Sequence, residues 1–499
     1  MSRNAKNALV AISSVLLGWA IWIAAPGQGV VNYGLWSLLP PGLTLLVCFL
    51  TRNVILALCI GVFSGGLVSG QLNIVQAYLT PSLATENFAQ ILVIFGALGG
   101  LLGLWNRNGG ARYFAQYVSD RFVHSRITAK LFAWIMGVVL HQGGTISTIL
   151  VGTTVRPVSD REKVAHEELA YIVDSTASPI ATIIPFNVWP TYVAGLITID
   201  ALTAMIPDQA TAIEWFYKAI LYNFYAWFAV VLTLLFSLDK LPFLGKPMRA
   251  AINRVETSGE LDRSGAIPMV SSELTETNID PGYQPAQIDF IAPMGTLLSL
   301  CIVPWLMGGS PMVFEAFALA TVVSIGISVL RGMSIADAFD AVVTGIKGVA
   351  IGAIILALAV TLGAVSESLH TSTFIIDATA TTLSVVPYIL PSLLMFICMV
   401  ISFSIGSSWG TYAVIFPVAL PLAYALNPDP AFFTLTFGAI LGGAVFGDQC
   451  SPISDTTIFS SLSCGSDLMD HVNTQLPLAL SAAGMAAALY LVFAFFQVG

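Results

Sequence analysis

Uninterrupted apolar stretches, each long enough to cross a lipid bilayer as a helix, recur from one end of this 499-residue chain to the other. About 30 Å of hydrocarbon takes roughly 20 helical residues to cross, and about 12 to 14 stretches meet that measure. Clear cases are Leu9–Ala25, Val54–Gly70, Ile91–Trp105, Phe216–Leu238, Phe290–Met307, Val349–Val365 and Leu478–Phe496. A chain that is 56% hydrophobic and 9% charged cannot clothe a water-facing surface, so lipid is its main solvent. Without water to satisfy the backbone, only helices or a closed barrel span a membrane, and a barrel would show short segments of alternating polarity. These runs are continuous, so the expected class is an all-α polytopic membrane protein. Arg3 and Lys6 ahead of the first run mimic a secretory signal, but many further runs follow, and the segment reads as an uncleaved first span. The six cysteines, Cys48, Cys59, Cys301, Cys398, Cys450 and Cys464, lack CxxC spacing and read as packing residues. No phosphate loop or metal cluster stands out, so no cofactor is expected. A formal net charge of −9 argues against nucleic acid as a partner.

Orientation comes from the cations. All 19 Lys and Arg residues precede position 348 and gather in a few polar connections. Residues 106–130 hold Arg107, Arg112, Arg121, Arg126 and Lys130; residues 156–163 hold Arg156, Arg161 and Lys163; residues 239–287 hold Lys240, Lys246, Arg249, Arg254 and Arg263. The positive-inside rule places these connections and the N-terminus in the cytoplasm of a cell or inner membrane. The stretch 239–287, rich in Ser, Glu, Asp and Gly around Glu256–Pro281, reads as a hydrophilic linker between membrane halves 1–238 and 288–499.

Each half carries two interrupted segments. Between Lys130 and Arg156 two apolar runs flank His141-Gln142-Gly143-Gly144-Thr145. Two full spans need roughly 40 residues, more than this stretch offers, so 131–157 is expected to be a re-entrant hairpin with its tip inside the membrane. A matching hairpin is expected at 391–422, around Ser404-Ile405-Gly406-Ser407-Ser408-Trp409-Gly410-Thr411. Broken helices follow at 168–188 and 440–462, where Ser178-Pro179-Ile180 and Ser451-Pro452-Ile453 interrupt apolar sequence. Proline removes a backbone hydrogen bond and frees a carbonyl, which lipid tolerates only where the break is buried in protein or lines a cavity. One hairpin and one broken helix per half is the pattern of an inverted-repeat transporter with a midplane site.

A carboxylate at membrane depth costs roughly 2.5–3.5 kcal/mol on insertion scales, so Asp174, Asp448 and Asp455 need a reason to be there. The alternative to function is a helix cap or an interfacial position. The functional reading is that they bind a cation and a proton in competition, with Ser178, Thr182, Ser451, Ser454 and Thr456 adding hydroxyls that a hard cation such as Na+ prefers. The Na+ is expected at Asp448, Asp455 and Asp174, nearer the second half, which holds two of the three acids. His141 at the first tip suits either packing or proton relay. Asn187 and Trp409 are candidate contacts for an organic substrate, Trp409 and Trp189 by cation–π attraction to an ammonium group. An intramembrane aspartyl protease would also pair two aspartates. However, Val445-Phe446-Gly447-Asp448 lacks the first glycine of the Gly-x-Gly-Asp pattern of those enzymes. The chain is not expected to be an enzyme.

The run Gly447-Asp448-Gln449-Cys450-Ser451-Pro452-Ile453-Ser454-Asp455-Thr456-Thr457 resembles the signature of the NhaC family of Na+/H+ antiporters, whose usual form has His at the place of Gln449. His141-Gln142-Gly143-Gly144-Thr145 and Asp174-Ser175-Thr176-Ala177-Ser178-Pro179 resemble that family's first-half motifs, and the likeness runs from about residue 35 to the end. The resemblance implies two inverted repeats, an elevator-type transport domain built of hairpins and broken helices, a scaffold that often forms homodimers, and exchange of Na+ for H+. Gln449 departs from the pattern by removing a titratable group beside Asp448. Members of the family are also assigned to exchange of organic solutes, so a Na+-coupled carrier of an organic acid or an ammonium-bearing solute is the alternative.

Overall fold

The computed structural model describes residues 25–27, 33–51, 53–141, 144–184, 189–198, 202–269, 279–280, 282–307, 312–371, 374 and 387–498. Among them no named strand forms; a lone β-bridge joins Pro268 to Asp467. The main helices are α1 (Leu39–Thr51), α2 (Val54–Ser69), α3 (Glu86–Asn108), α4 (Gly110–Arg121), α5 (Arg126–Val139), α6 (Gly144–Arg161), α7 (His166–Ser175), α8 (Ser178–Ala181), α9 (Trp189–Ile197), α10 (Gln209–Ile220) and α11 (Phe224–Ser237). They continue with α12 (Gly245–Ser258), α13 (Ile288–Leu306), α14 (Val313–Leu330), α15 (Ile335–Ser368), α16 (Leu390–Ile405), α17 (Ser408–Leu426), α18 (Pro430–Cys450), α19 (Asp455–Cys464) and α20 (Leu468–Val498).

Four described helices are long and apolar enough to cross a membrane: Ile335–Ser368, Ser408–Leu426, Pro430–Cys450 and Leu468–Phe496. A fifth span forms if α10 and α11, bent by 46° at their junction, are taken together. Shorter apolar helices, α2, α14 and α16 among them, account for further runs that hydropathy alone reads as full spans. The first run, Leu9–Ala25, lies almost wholly outside the described residues.

Local chemistry sets the ends that matter for the site. Ser125 caps α5 by accepting from the Thr128 amide, while Thr128 returns a hydroxyl to the cap backbone. α18 starts on Pro430 behind Asp429, whose carboxylate accepts from the Ala431 amide. It stops at Cys450 because Pro452 forces Ser451 into an extended conformation, ψ 133°. α19 then restarts at Asp455. In the first half, α7 ends at Ser175 and α8 begins at Ser178 with Pro179 in its first turn. α16 turns into α17 through Gly406, whose φ of +69° is left-handed.

Packing interleaves the two halves. One apolar cluster joins Leu98 of α3, Ile149 of α6, Phe317 of α14, Leu356 of α15 and Phe459 of α19. A second joins Trp189, Phe216, Tyr225, Ile401, Phe437 and Ala483, from α9, α10, α11, α16, α18 and α20. α3 and α15 meet backbone to backbone: a Cβ on Gly99 would stand 2.8 Å from the Gly345 carbonyl oxygen. Gly99 and Gly103 are four residues apart, the spacing by which apolar helices approach closely in lipid. α18 is buried along nearly its whole length, with Gly443 and Gly447 against α16 and Gly438 and Gly442 against the start of α11.

The hydrophilic stretch expected as a solvated linker is, in its described part, docked. α12 and residues 260–269 form a strap along one end of the molecule. Arg254 pairs with Glu167 at 2.7 Å, Asp262 with His166 at 2.9 Å, and Glu256 with Arg126 at 2.8 Å. Farther on, Arg263 pairs with Asp470 at 3.0 Å and the Met269 amide donates to the Ser466 carbonyl at 3.1 Å. The strap therefore touches the outer end of α7 and the junction between α19 and α20.

Candidate ion-binding site

Asp448 lies on the last turn of α18, buried, with its carboxylate held by three serine hydroxyls. Ser178, at the start of α8, donates to Oδ2 at 2.8 Å; Ser408, at the start of α17, donates to the same oxygen at 3.1 Å; Ser454, in the second break, donates to Oδ1 at 3.0 Å. Both halves of the chain thus meet on one carboxylate. Thr456 donates to the Asp448 carbonyl at 2.9 Å, and Ser454 and Thr456 share a 3.1 Å contact. Asp455 is half-buried, accepts from the Thr456 amide at 2.8 Å and lies within electrostatic reach of Asp448.

The hairpin turns close over this cluster. A Cβ on Gly144 would stand 2.5 Å from Ser178 Oγ and 2.8 Å from Thr456 Cγ2, so the start of α6 abuts both broken helices. A Cβ on Gly406 would stand 2.5 Å from the Ile453 carbonyl oxygen, so the second turn abuts the second break. Only glycine permits these approaches.

The remaining expected residues are placed elsewhere. Thr182 donates to the Pro179 carbonyl at 3.0 Å and accepts from Asn223 at 2.8 Å, away from Asp448. Ser451 donates to the Phe403 carbonyl at 2.7 Å and ties the break to α16. Ser407 caps α17 by accepting from the Gly410 amide at 3.2 Å, and Thr411 donates back to the Ser407 carbonyl at 2.8 Å. His141 is buried, its Nδ1 2.7 Å from the Val138 carbonyl oxygen. Gln142, Gly143, Asn187 and the Thr145 side chain lie outside the described residues.

Asp174 makes a centre of its own. Its Oδ2 sits 3.1 Å from His471 Nε2 and accepts from Gln475 Nε2 at 3.0 Å, both on the first turns of α20. Gln475 also donates to the Gln449 carbonyl, and the Gln449 side chain accepts from Tyr225 at 2.6 Å and donates to Ser175 at 2.7 Å. His471 and Gln475 escape a reading based on apolar runs, because they fall in the polar turn ahead of Leu478. Their i, i+4 spacing, which sets two polar groups on one helix face, was the available signal.

Trp409 gathers aromatic rings beside Ser408. Its ring centroid is 4.6 Å from Trp189 and 4.4 Å from Tyr192, and the Tyr192 hydroxyl donates to the Trp409 carbonyl at 2.9 Å. Trp409 remains 38% exposed.

Chemically, the Asp448 cluster gathers a carboxylate and three hydroxyls, the oxygen ligands that hard cations prefer. Each hydroxyl has one hydrogen and two lone pairs, so a hydroxyl that donates to the bare carboxylate can turn a lone pair toward a bound ion. Burial of an unpaired carboxylate is costly, and either a cation or a proton removes that cost.

A model of the Na+/H+ antiporter family matches residues 180–495, well over half the chain. An uncharacterized protein of Haemophilus influenzae is 28% identical over 485 residues, spanning 92% of this chain and 91% of that protein. The Na(+)/H(+) antiporter NhaC of Alkalihalophilus pseudofirmus is 42% identical over 78 residues, 16% of each chain. The malate-2H(+)/Na(+)-lactate antiporter of Bacillus subtilis is 36% identical over 106 residues, 21% of this chain and 22% of that one.

Proposed function

We propose, from the premise that this chain belongs to the Na+/H+ antiporter family, that it is a secondary active transporter exchanging Na+ for H+ across the cell membrane. Family and apolar helices together make it a multi-pass membrane protein of a transporter family. The observation that carries the finer reading is the buried Asp448 carboxylate with Ser178, Ser408 and Ser454 around it. In this reading Na+ binds Asp448, with those hydroxyls and Asp455 as further oxygen ligands, and protonation among the membrane-depth aspartates competes with that Na+. Ser178 and Ser408 come from opposite halves, so ion occupancy is felt by both broken helices and both hairpins. That supports an inverted-repeat arrangement in which these four segments move together, elevator-fashion, against a scaffold that forms a homodimer. The N-terminus and the basic connections face the cytoplasm, and the membrane is the inner one.

The test is Na+-dependent proton movement in proteoliposomes carrying an internal pH dye. Asp448→Asn and Asp455→Asn are expected to fold and to lose coupled transport. Normal Na+ affinity and transport in both would remove the site assignment. No Na+-dependent proton movement by the unaltered protein between about pH 6 and 9, the span of plausible carboxylate and imidazole shifts, would remove the function.

One observation favours a second reading. The exposed Trp409 ring, braced by Trp189 and Tyr192 next to Ser408, offers a π-face close to a carboxylate. A Na+-coupled carrier of an ammonium-bearing solute would use such a face, whereas a free organic acid would meet no Lys or Arg anywhere in residues 348–499. Thermal stabilisation by an organic solute beyond that given by Na+ alone would select this reading.

A further inference from the structure

The second polar centre has more acceptors than hydrogen-bond donors. Asp174, His471 and Gln475 are fully buried, and Asp174 Oδ1, His471 Nδ1 and Gln475 Oε1 have no hydrogen-bond partner. The His471 tautomer follows from its neighbours. Its Nε2 faces Asp174 Oδ2 and Ser460 Oγ, each at 3.1 Å, and Ser460 already donates to the Thr457 carbonyl at 3.0 Å. Both neighbours accept, so Nε2 carries the hydrogen and Nδ1 is a bare lone pair. Three buried acceptors, one of them the second oxygen of the Asp174 carboxylate, therefore stand without a donor.

We propose that the Asp174–His471–Gln475 centre is a proton-binding site distinct from the Na+ site at Asp448, and that Gln475 and Gln449 link the two. This rests on the antiport reading and assigns its second ion a place. A proton arriving from water at His471 Nδ1 turns a buried carboxylate of uncompensated charge into a neutral imidazolium–carboxylate pair; the same proton leaves to water on the opposite side of the membrane. Na+ suits the centre less well, because two N–H groups already occupy Oδ2 and an imidazole nitrogen is a poor ligand for a hard cation. The other titratable groups within electrostatic reach of Asp174 are Tyr225 of α11, Cys450 of α18 and Cys464 of α19. The nearby charges of α5, α6 and α12 pair at the outer end of α7: Arg126 and Lys130 with Glu168, Arg156 with Asp160, and Arg254 with Glu167. Coupling has a route. The Gln475 amide holds both Asp174 Oδ2 and the carbonyl of Gln449, the residue after Asp448, and Cys450 lies within electrostatic reach of both aspartates. A Na+ at Asp448 therefore disfavours a proton at His471.

The experiment measures Na+ binding by calorimetry and Na+-driven proton flux across pH for the unaltered protein, Asp174→Asn, His471→Gln and Asp448→Asn. Asp174→Asn and His471→Gln are expected to lose proton flux at least tenfold, the equivalent of one pK unit, and to bind Na+ with an affinity that varies less with pH than in the unaltered protein. Asp448→Asn is expected to lose Na+ binding itself. Gln475→Glu adds a second acid beside Asp174 and is expected to move the pH midpoint of flux upward by about one unit. The proposal is overturned if Asp174→Asn and His471→Gln lose Na+ binding as Asp448→Asn does, if either keeps the unaltered pH profile, or if Gln475→Glu leaves the midpoint in place. Absence of Na+-driven proton flux in the unaltered protein would instead strike the antiport reading on which this one rests.

Discussion

Three serine hydroxyls hold the Asp448 carboxylate, while Thr182 and Ser451, equally eligible from sequence, spend theirs on backbone carbonyls. That difference can be measured. A hydrogen bond to a charged group is worth about 1.5–3 kcal/mol, but Ser178→Ala removes a donor from the empty site as well as a ligand from the filled one. The two effects oppose, and the net fall in Na+ affinity is expected to be about tenfold, or 1.4 kcal/mol. Thr182→Ala, four residues along, is expected to stay within about twofold, since its hydroxyl bonds the Pro179 carbonyl and Asn223 rather than Asp448. Calorimetric Na+ titration of the two variants checks this, and equal losses would mean that Thr182 belongs to the site. His166 gives a residue-scale prediction outside the spans. Burial pulls its imidazole down, but Asp160 and Asp262 outweigh burial and hold it up at about 9. A raised folded-state value means that the stability it contributes is full below the ordinary value of about 6.5 and is lost as pH rises through about 9. The gap in melting temperature between the unaltered protein and His166→Gln should therefore be wide in mild acid and close in alkali. A gap independent of pH would show that the ion pairs of His166 do not stabilise the fold.

At the scale of elements, two breaks and two tight turns bring the site together. Pro452 ends α18 and Pro179 sits in the first turn of α8; Ser178, beside the first proline, and Ser454, two residues past the second, both donate to Asp448. The turns close over the breaks because Gly144 and Gly406 have no side chain. Gly144→Ala would press a methyl group to 2.5 Å from Ser178 Oγ and 2.8 Å from Thr456 Cγ2, too close for any real contact, so the start of α6 or these side chains must shift. Overpacking of this kind costs about 1–3 kcal/mol, and because it falls on Ser178 it is expected to lower Na+ affinity as well as stability. Gly410→Ala in the other hairpin comes tighter than ordinary contact to Ile405 Cδ1 alone, at 3.2 Å, the end of a flexible side chain, and should be tolerated. Paired Na+ titrations and melts distinguish the two. Equal tolerance would mean that the first tip does not close on the cation.

For the whole molecule, the strap from Gly245 to Met269 bridges the outer end of α7 and the junction of α19 with α20, through Arg254 to Glu167 and Arg263 to Asp470. The Arg254→Ala, Arg263→Ala double variant is expected to melt at a lower temperature yet keep its Na+-dependent stabilisation. That stabilisation should follow mass action, about 2.7 kcal/mol at a hundredfold excess over Kd, and vanish in Asp448→Asn. Thermal melts over a Na+ series check both. How much of this was legible in sequence follows from the range of the forces involved. Apolar runs and proline-interrupted segments act locally, so the sequence alone determined an all-α membrane class and the two Ser-Pro breaks, and marked Asp448 as a candidate ion ligand. It could not show that Ser178 crosses to Asp448 over 270 positions, that Ser451 turns away to α16, or that Asp174 joins His471 and Gln475 in a centre of its own. Those pairings depend on how helices rotate and interleave. In a lipid-facing chain nearly every helix is apolar, and only the packing of α18 among its neighbours decides which few polar atoms meet.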